Sequence, residues 1–206
     1  MRVRQPMMGL SMTKLHWNES ISIMKPLIYC DLEVRADTKN EGFALPIMER
    51  TLGVLHGVFR QSPDCYAIAL PQAQSGERRH PGAVIRVFAE TREDLDRLVT
   101  TIQDFPVVRD YLMIGYPRSV PVGFNGPWRE YRRYRITNRG SRLEKCREFR
   151  LQEASKLPYL RVVSRSTGHG FGLYVASVEG SQVDDCKPDS YGLSVATRPF
   201  ALPWLA

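Results

Sequence analysis

The run GFALPIMERTLGVLHGVFRQ (42–61) places Leu45, Met48, Leu52, Leu55 and Phe59 at 3,4,3,4 spacing. That period is the apolar stripe of an α-helix, and such a stripe has to be buried against a second layer. Strand-like runs on either side supply one: LIYCDLEV (27–34), CYAIALPQ (65–72), AVIRVFAE (83–90) and YLMIGY (111–116). Between the last two lies TREDLDRLVTTI (91–102), a second helix with Thr91 as its expected N-cap and Glu93 and Asp94 in its first turn. Acidic side chains there complement the partial positive charge of a helix N-terminus.

The order β-α-β-β-α-β predicts an α+β chain whose residues 26–117 form a ferredoxin-like domain, the arrangement also used by RRM domains. Fold alone does not give function. PRSVPVGFNGPW (117–128) is rich in proline and glycine and reads as a linker. Residues 118–206 form a second region with a helix over SRLEKCREFRLQEASK (141–156), capped by Ser141 and stopped by Pro158. A small sheet is expected around VSRSTGHGFGLYV (163–175), followed by a loop, EGSQVDDCKPDS (179–190), and an apolar end that packs back on the core. Residues 1–25 lack periodicity and are set apart as an N-terminal extension.

Formal net charge is +7, from 29 Lys and Arg against 22 Asp and Glu. Between Trp128 and Arg150 stand Arg129, Arg132, Arg133, Arg135, Arg139, Arg142, Lys145, Arg147 and Arg150 against Glu130, Glu144 and Glu148. That is nine against three, so +6 of the +7 falls in one short segment. Eight of the nine are arginine, whose planar fork matches phosphate and stacks on bases. With Trp128, Tyr131 and Tyr134 interleaved, the segment points to nucleic acid; a solvated helix face is the plainer alternative. No apolar run reaches the ~18 residues of a membrane-spanning helix. The N-terminus lacks the apolar centre of a secretory signal. The four cysteines are far apart, read as free thiols, and suggest a cytoplasmic protein.

Metal-ligand spacing is absent: His16, His56, His80 and His169 form no HxxxH pair, so no cofactor or metal is expected. There is no phosphate-binding P-loop and no GxSxG elbow. His56 sits beside the apolar stripe of the first helix, between Gly53 and Gly57. It is either a satisfied histidine at the core edge or a general acid or base. Imidazole suits metal-free RNA transesterification, in which a 2′-hydroxyl attacks the adjacent phosphate. His169, in the Ser-Thr-Gly-His-Gly turn, competes for that role.

RTLGVLHGVF, the arginine-rich segment after a proline-rich linker, SRSTGHGFGLYV, SYGLS and a late PW occur in an order that resembles the CRISPR precursor-RNA-processing endoribonucleases of the type I-F branch. The resemblance covers roughly residues 26–206. It implies His56 as the residue assisting cleavage, Ser164 as the serine positioning the nucleophilic ribose, and Tyr191 as an aromatic ordering the active site. Ser166 and Thr167 imply contacts near the scissile phosphate, and Phe171 an aromatic at the base of the stem. Ser164 and Ser166 lie two apart on a strand and share a face, with Arg165 on the other. Arg133 and Arg135 fall near linker positions that contact stem bases. Arg139, Arg142, Lys145, Arg147 and Arg150 imply a phosphate-tracking helix, although Glu144 and Glu148 dilute its charge.

The expected activity is metal-independent cleavage of a CRISPR repeat stem-loop at its 3′ base, leaving a 2′,3′-cyclic phosphate and a 5′-hydroxyl. The resemblance also implies that the protein stays on the guide RNA as a subunit of an RNA-guided surveillance complex. Two alternatives remain at this point: a hairpin-binding subunit that does not cut, and a general RRM-like RNA-binding protein. Against the latter, AVIRVFAE offers a single aromatic, Phe88, on a central strand.

Overall fold

The computed structural model describes residues 24–35, 42–136, 144–163, 168–182 and 185–205, with the side chains of Glu144 and Lys145 outside the description. It is a mixed α+β structure. Strand β1 (Ile28–Val34) leads to helix α1 (Ala44–Phe59), then β2 (Ala67–Ala69) and β3 (Val84–Ala89). Helices α2 (Arg92–Ile102) and α3 (Pro106–Tyr111) precede β4 (Leu112–Ile114) and β5 (Arg118–Ser119). These strands make one antiparallel sheet in the order β2-β3-β1-β4, with β5 pairing beside β4 on the same edge of β1. A second antiparallel sheet, β7-β8-β6-β9, is built from β6 (Trp128–Tyr134), β7 (Tyr159–Val163), β8 (Gly170–Gly180) and β9 (Leu202–Pro203). Helix α4 (Glu144–Ala154) lies between β6 and β7 in sequence.

Strand alternation explains how the first sheet is used. Cys30, Leu32 and Val34 point to one face of β1 and are fully buried. Tyr29, Asp31 and Glu33 point to the other, opposite Phe88, Arg86 and Val84 of β3. That second face is also covered, because every residue of β3 is buried. Arg86 in its centre binds Asp31 through two bonds, Nε to Oδ1 at 2.7 Å and Nη2 to Oδ2 at 3.0 Å. Its Nη1 donates to the Leu205 carbonyl at 2.6 Å, so the C-terminal segment closes over the sheet. A buried guanidinium is tolerable only with such pairing.

The stripe of α1 is wider than its 3,4 spacing suggests. Met48, Leu52, Leu55 and Phe59 are buried as expected and Leu45 partly so, but Ile47, Thr51 and Val54 are buried too. The reason is that α1 touches β1 of the first sheet and β7 of the second. Glu49 fixes this docking by accepting the backbone N–H of Arg161 at 2.7 Å. On α2, Thr91 caps as expected, its hydroxyl accepting from the Asp94 amide at 3.2 Å.

One local expectation needs correction, and two features add to the sequence reading. The linker is partly strand, since Arg118 and Ser119 pair with Tyr29 and Ile28. The first half of the basic segment is strand β6, interior to the second sheet. Its Tyr131 is only 3% exposed and belongs to the core, so it is no stacking platform. The short helix α3 was not foreseen; Pro106 opens it, where the missing N–H costs nothing. The proposed cap Ser141 lies outside the described residues.

Candidate active site and RNA interface

His56 lies in the last turn of α1 and is half-buried. Its Nδ1 is 2.6 Å from the carbonyl oxygen of Ser190. A carbonyl only accepts, so the proton resides on Nδ1 and the lone pair of the neutral ring is on Nε2. The imidazole also stacks on Tyr191, with ring centres 4.0 Å apart and planes 5° from parallel. Phe171 meets Tyr191 edge-on at 6.3 Å, and the Arg133 guanidinium lies 5.1 Å from the Tyr191 ring centre. Burial pushes the Tyr191 phenol up, Arg133 pulls it down and Asp189 raises it again; the net is upward. Tyr191 therefore serves as a neutral platform.

The Ser190–Tyr191 turn is held by Asp189. Its Oδ1 accepts from the amides of Tyr191 at 2.8 Å and Leu193 at 3.1 Å, and its Oδ2 binds Arg133 Nη1 at 3.2 Å. Gly192, at φ +76°, turns the chain so that its carbonyl accepts from Ile68 of β2 at 2.8 Å. Beyond the turn, Ser194 is sewn to β6: its carbonyl accepts from the Arg133 amide at 2.8 Å and its hydroxyl donates to Glu130 at 2.5 Å.

A groove of about 980 Å³ opens beside this assembly, between the end of β6, helix α4 and the turn at 195–198. Arg132, Arg133, Arg135 and Arg150 line it together with Arg198 and Phe149. Arg150 Nη1 donates to the Arg135 carbonyl at 3.0 Å, tying α4 to the end of β6. From Arg147 to Gln152, α4 is exposed on every side, and Phe149 is 62% exposed. A helix without an apolar face gains little from packing on its own protein.

The sequence-derived site residues thus divide. His56, Phe171, Tyr191 and Arg133 come together, and Arg132, Arg135 and Arg150 join the adjoining groove. Arg147 is on exposed α4. Arg129 is elsewhere, with its guanidinium 4.3 Å from the Trp204 ring, about 13 Å up the strand from Arg133 at strand rise. Ser164, Arg165, Ser166, Thr167, Arg139 and Arg142 lie outside the described residues, as does the Lys145 side chain. Strands β7 and β8, on either side of residues 164–167, meet at the Val163–Gly170 pair, one residue before Phe171. His169 is exposed beside it. Among the described residues, no group of three His, Cys, Asp or Glu could hold a metal ion.

Asp189, Arg198 and the Ser190 carbonyl were not singled out from the sequence. Asp189 had a signal, because an aspartate two residues before Tyr-Gly is the pattern of an Asx-turn.

A family model described as CRISPR-associated protein (Cas_Csy4) matches residues 29–205. The chain belongs to this family. It is a CRISPR-associated protein with a role in RNA processing, and the repeat-processing endoribonuclease resemblance is the one the family supports. Binding of CRISPR repeat RNA follows from membership. No curated protein matches the chain. Among the described residues no helix is long and apolar enough to cross a membrane. The RRM-like alternative meets an obstacle in this Cas_Csy4 protein. RRM domains stack bases on the open sheet face, and here that face holds Tyr29 at 6% and Phe88 at 0% exposure beneath the C-terminal segment.

Proposed function

We propose that this protein is a metal-independent endoribonuclease that cuts CRISPR repeat stem-loops at the 3′ base of the stem. The observation that carries the proposal is the fixed His56 imidazole, held by the Ser190 carbonyl and the Tyr191 face at the edge of an arginine-lined groove. Nε2 of the neutral ring takes the proton from the ribose 2′-hydroxyl. The freed O2′ bonds to the adjacent phosphorus and the P–O5′ bond breaks. Phosphate is left as the 2′,3′-cyclic diester, and the departing O5′ takes a proton from water to end as a 5′-hydroxyl, while the imidazole returns its proton to solvent. Nδ1 donates to Ser190 whether or not Nε2 carries a proton, so the ring need not turn during the step. No metal is required for that proton transfer.

Ser164 positions the ribose in this scheme, and Ser166 and Thr167 contact the backbone near the scissile phosphate. Arg165 contributes to RNA binding, and Phe171 packs at the stem base. Arg133 and Arg135 lie near the positions that contact stem bases, Arg132 lines the groove beside them, and Arg139, Arg142, Lys145, Arg147 and Arg150 track phosphates along the stem. An A-form major groove is too deep and narrow for base reading by ordinary side chains, but a basic helix laid in it collects phosphate contacts. Most binding energy then goes to the stem, which survives the cut. The product is retained, and the protein remains on the guide RNA as a subunit of a cytoplasmic surveillance complex.

The first sheet supports a ferredoxin-like reading of residues 26–117, since its order β2-β3-β1-β4 joins strands through α1 and α2 in a β-α-β-β-α-β path. Residues 118–206 are then the hairpin-binding region, and 1–25 an extension.

The test is cleavage of the repeat hairpin in EDTA by wild type and His56→Ala. One cut at the 3′ base of the stem, lost in the variant while hairpin affinity stays within a few-fold, is expected. Tight binding by the wild type without cleavage would make it a hairpin-holding subunit instead.

A further inference from the structure

We infer that Asp189 is a positioning residue for His56, with Arg133 as its clamp. The inference rests on the nuclease reading for its catalytic consequence, but the geometry behind it is independent of that reading. Asp189 is 8% exposed at its side chain, and both carboxylate oxygens are engaged. One oxygen takes two consecutive odd-numbered amides of the turn, Tyr191 and Leu193. Its own amide donates to the Leu193 carbonyl at 2.9 Å, and its carbonyl accepts from Gly192 at 2.8 Å. Ser190 is enclosed by this ring of bonds, and its carbonyl is the acceptor that decides which nitrogen of His56 carries the proton.

The carboxylate therefore sets two things at once: the direction of the Ser190 carbonyl and the height of the Tyr191 ring beneath the imidazole. Arg133 closes the arrangement from β6. Its amide is bonded to Ser194, its Nη1 to Asp189, and its guanidinium faces both Tyr191 and Phe171, at 5.1 and 5.8 Å. At 18% side-chain exposure it is turned inward, towards the turn. Removing the carboxylate deprives two amides of their acceptor and leaves the guanidinium without its anion. The carbonyl is then free to rotate away from His56, and Nδ1–H loses its partner. The lone pair on Nε2, which a general base needs, is no longer enforced. A misplacement of about 1 Å at a reacting group costs on the order of 100-fold in rate.

Two measurements on the full chain test this. Imidazole ¹⁵N shifts, taken where the rings are neutral and with His56 assigned by its loss in His56→Ala, report the tautomer. Wild type is expected in the Nδ1–H form, and Asp189→Ala in a mixture weighted towards the Nε2–H form that a free histidine side chain prefers. Single-turnover cleavage against pH is expected to fall about 100-fold in Asp189→Ala with a displaced lower limb, while hairpin affinity changes by less than about threefold. Asp189→Asn keeps one acceptor oxygen but not the charge, should recover part of the rate, and serves if the alanine variant does not fold. A wild-type tautomer in both variants overturns the inference, whatever the cleavage assay gives. So does a loss of rate matched by an equal loss of hairpin binding, which is what a merely loosened fold would produce. No cleavage by the wild type would instead sink the nuclease proposal, and the tautomer would still decide this one.

Discussion

Replacing Gly192 with alanine should unsettle the turn that holds His56, and the structure sets the size of the effect. Gly192 has φ +76°, in the left-handed region, where a Cβ costs about 1–2 kcal/mol. A Cβ there would also lie 3.0 Å from Phe59 Cε2, 3.1 Å from Ile68 Cγ2 and 3.1 Å from Ile68 N. Phe59 and Ile68 are core residues, 4% and 1% exposed, so neither side chain has room to withdraw. The Ile68 amide cannot retreat without stretching its 2.8 Å bond to the Gly192 carbonyl. Overpacking of this kind costs about 1–3 kcal/mol, giving about 2–5 kcal/mol in all. In a chain of this size that is a fall in Tm of about 4–20 °C. Gly53→Ala is the matched control, since a Cβ at that helical position would meet nothing within 4 Å. It should stabilise by up to about 1 kcal/mol, the helix-propensity gain of alanine over glycine. Thermal and denaturant unfolding followed by circular dichroism measure both. A Gly192→Ala variant within about 0.5 kcal/mol of wild type would refute the packing described for the turn, because surface changes alone produce shifts of that size.

Thiol chemistry and acid stability give two further tests. Burial, with smaller additions from Asp31 and Asp185, pushes Cys30 and Cys186 up to about 12, whereas Cys146 is exposed. The thiolate is the reactive form, so a thiol reagent at neutral pH should label Cys146 promptly and Cys30 and Cys186 only on unfolding; native labelling of either at the Cys146 rate would contradict the fold. Burial alone would raise the Glu130 carboxyl, but hydrogen bonds from Arg132 and Ser194 outweigh it and hold the group below the usual carboxylate range. Its contribution to stability is present above about pH 4.3, the ordinary glutamate value, and is lost as pH falls through the lower folded-state value. Glu130→Gln should therefore be less stable than wild type at pH 7, with the gap closing in acid; denaturant midpoints across a pH series that show a constant gap would count against the pairing.

Periodicity made much of the first sheet legible. Burial selects side chains at intervals of two on a strand and three or four on a helix, so β1, α1, β3 and α2 could be read from local sequence. The clustering of +6 near residues 128–150 was likewise legible, because charge density is a property of composition. His56 could be placed at the edge of the α1 stripe by spacing alone.

What spacing could not give was the company His56 keeps. Ser190 is 134 positions away along the chain, and the two meet only because α1 is wedged between both sheets and the 189–193 turn folds over its end. Tyr131 and Arg129 looked like more of the same basic, aromatic segment, yet the pairing of β6 with β8 and β9 buries one in the core and seats the other on Trp204. Strand partners are chosen by contacts distant in sequence, and no local pattern encodes which face of β6 will be covered. The sequence by itself determined which residues could do chemistry and where positive charge would gather. Only the tertiary structure decided which carbonyl fixes the imidazole, because that bond depends on a backbone direction set by a turn from the far end of the chain.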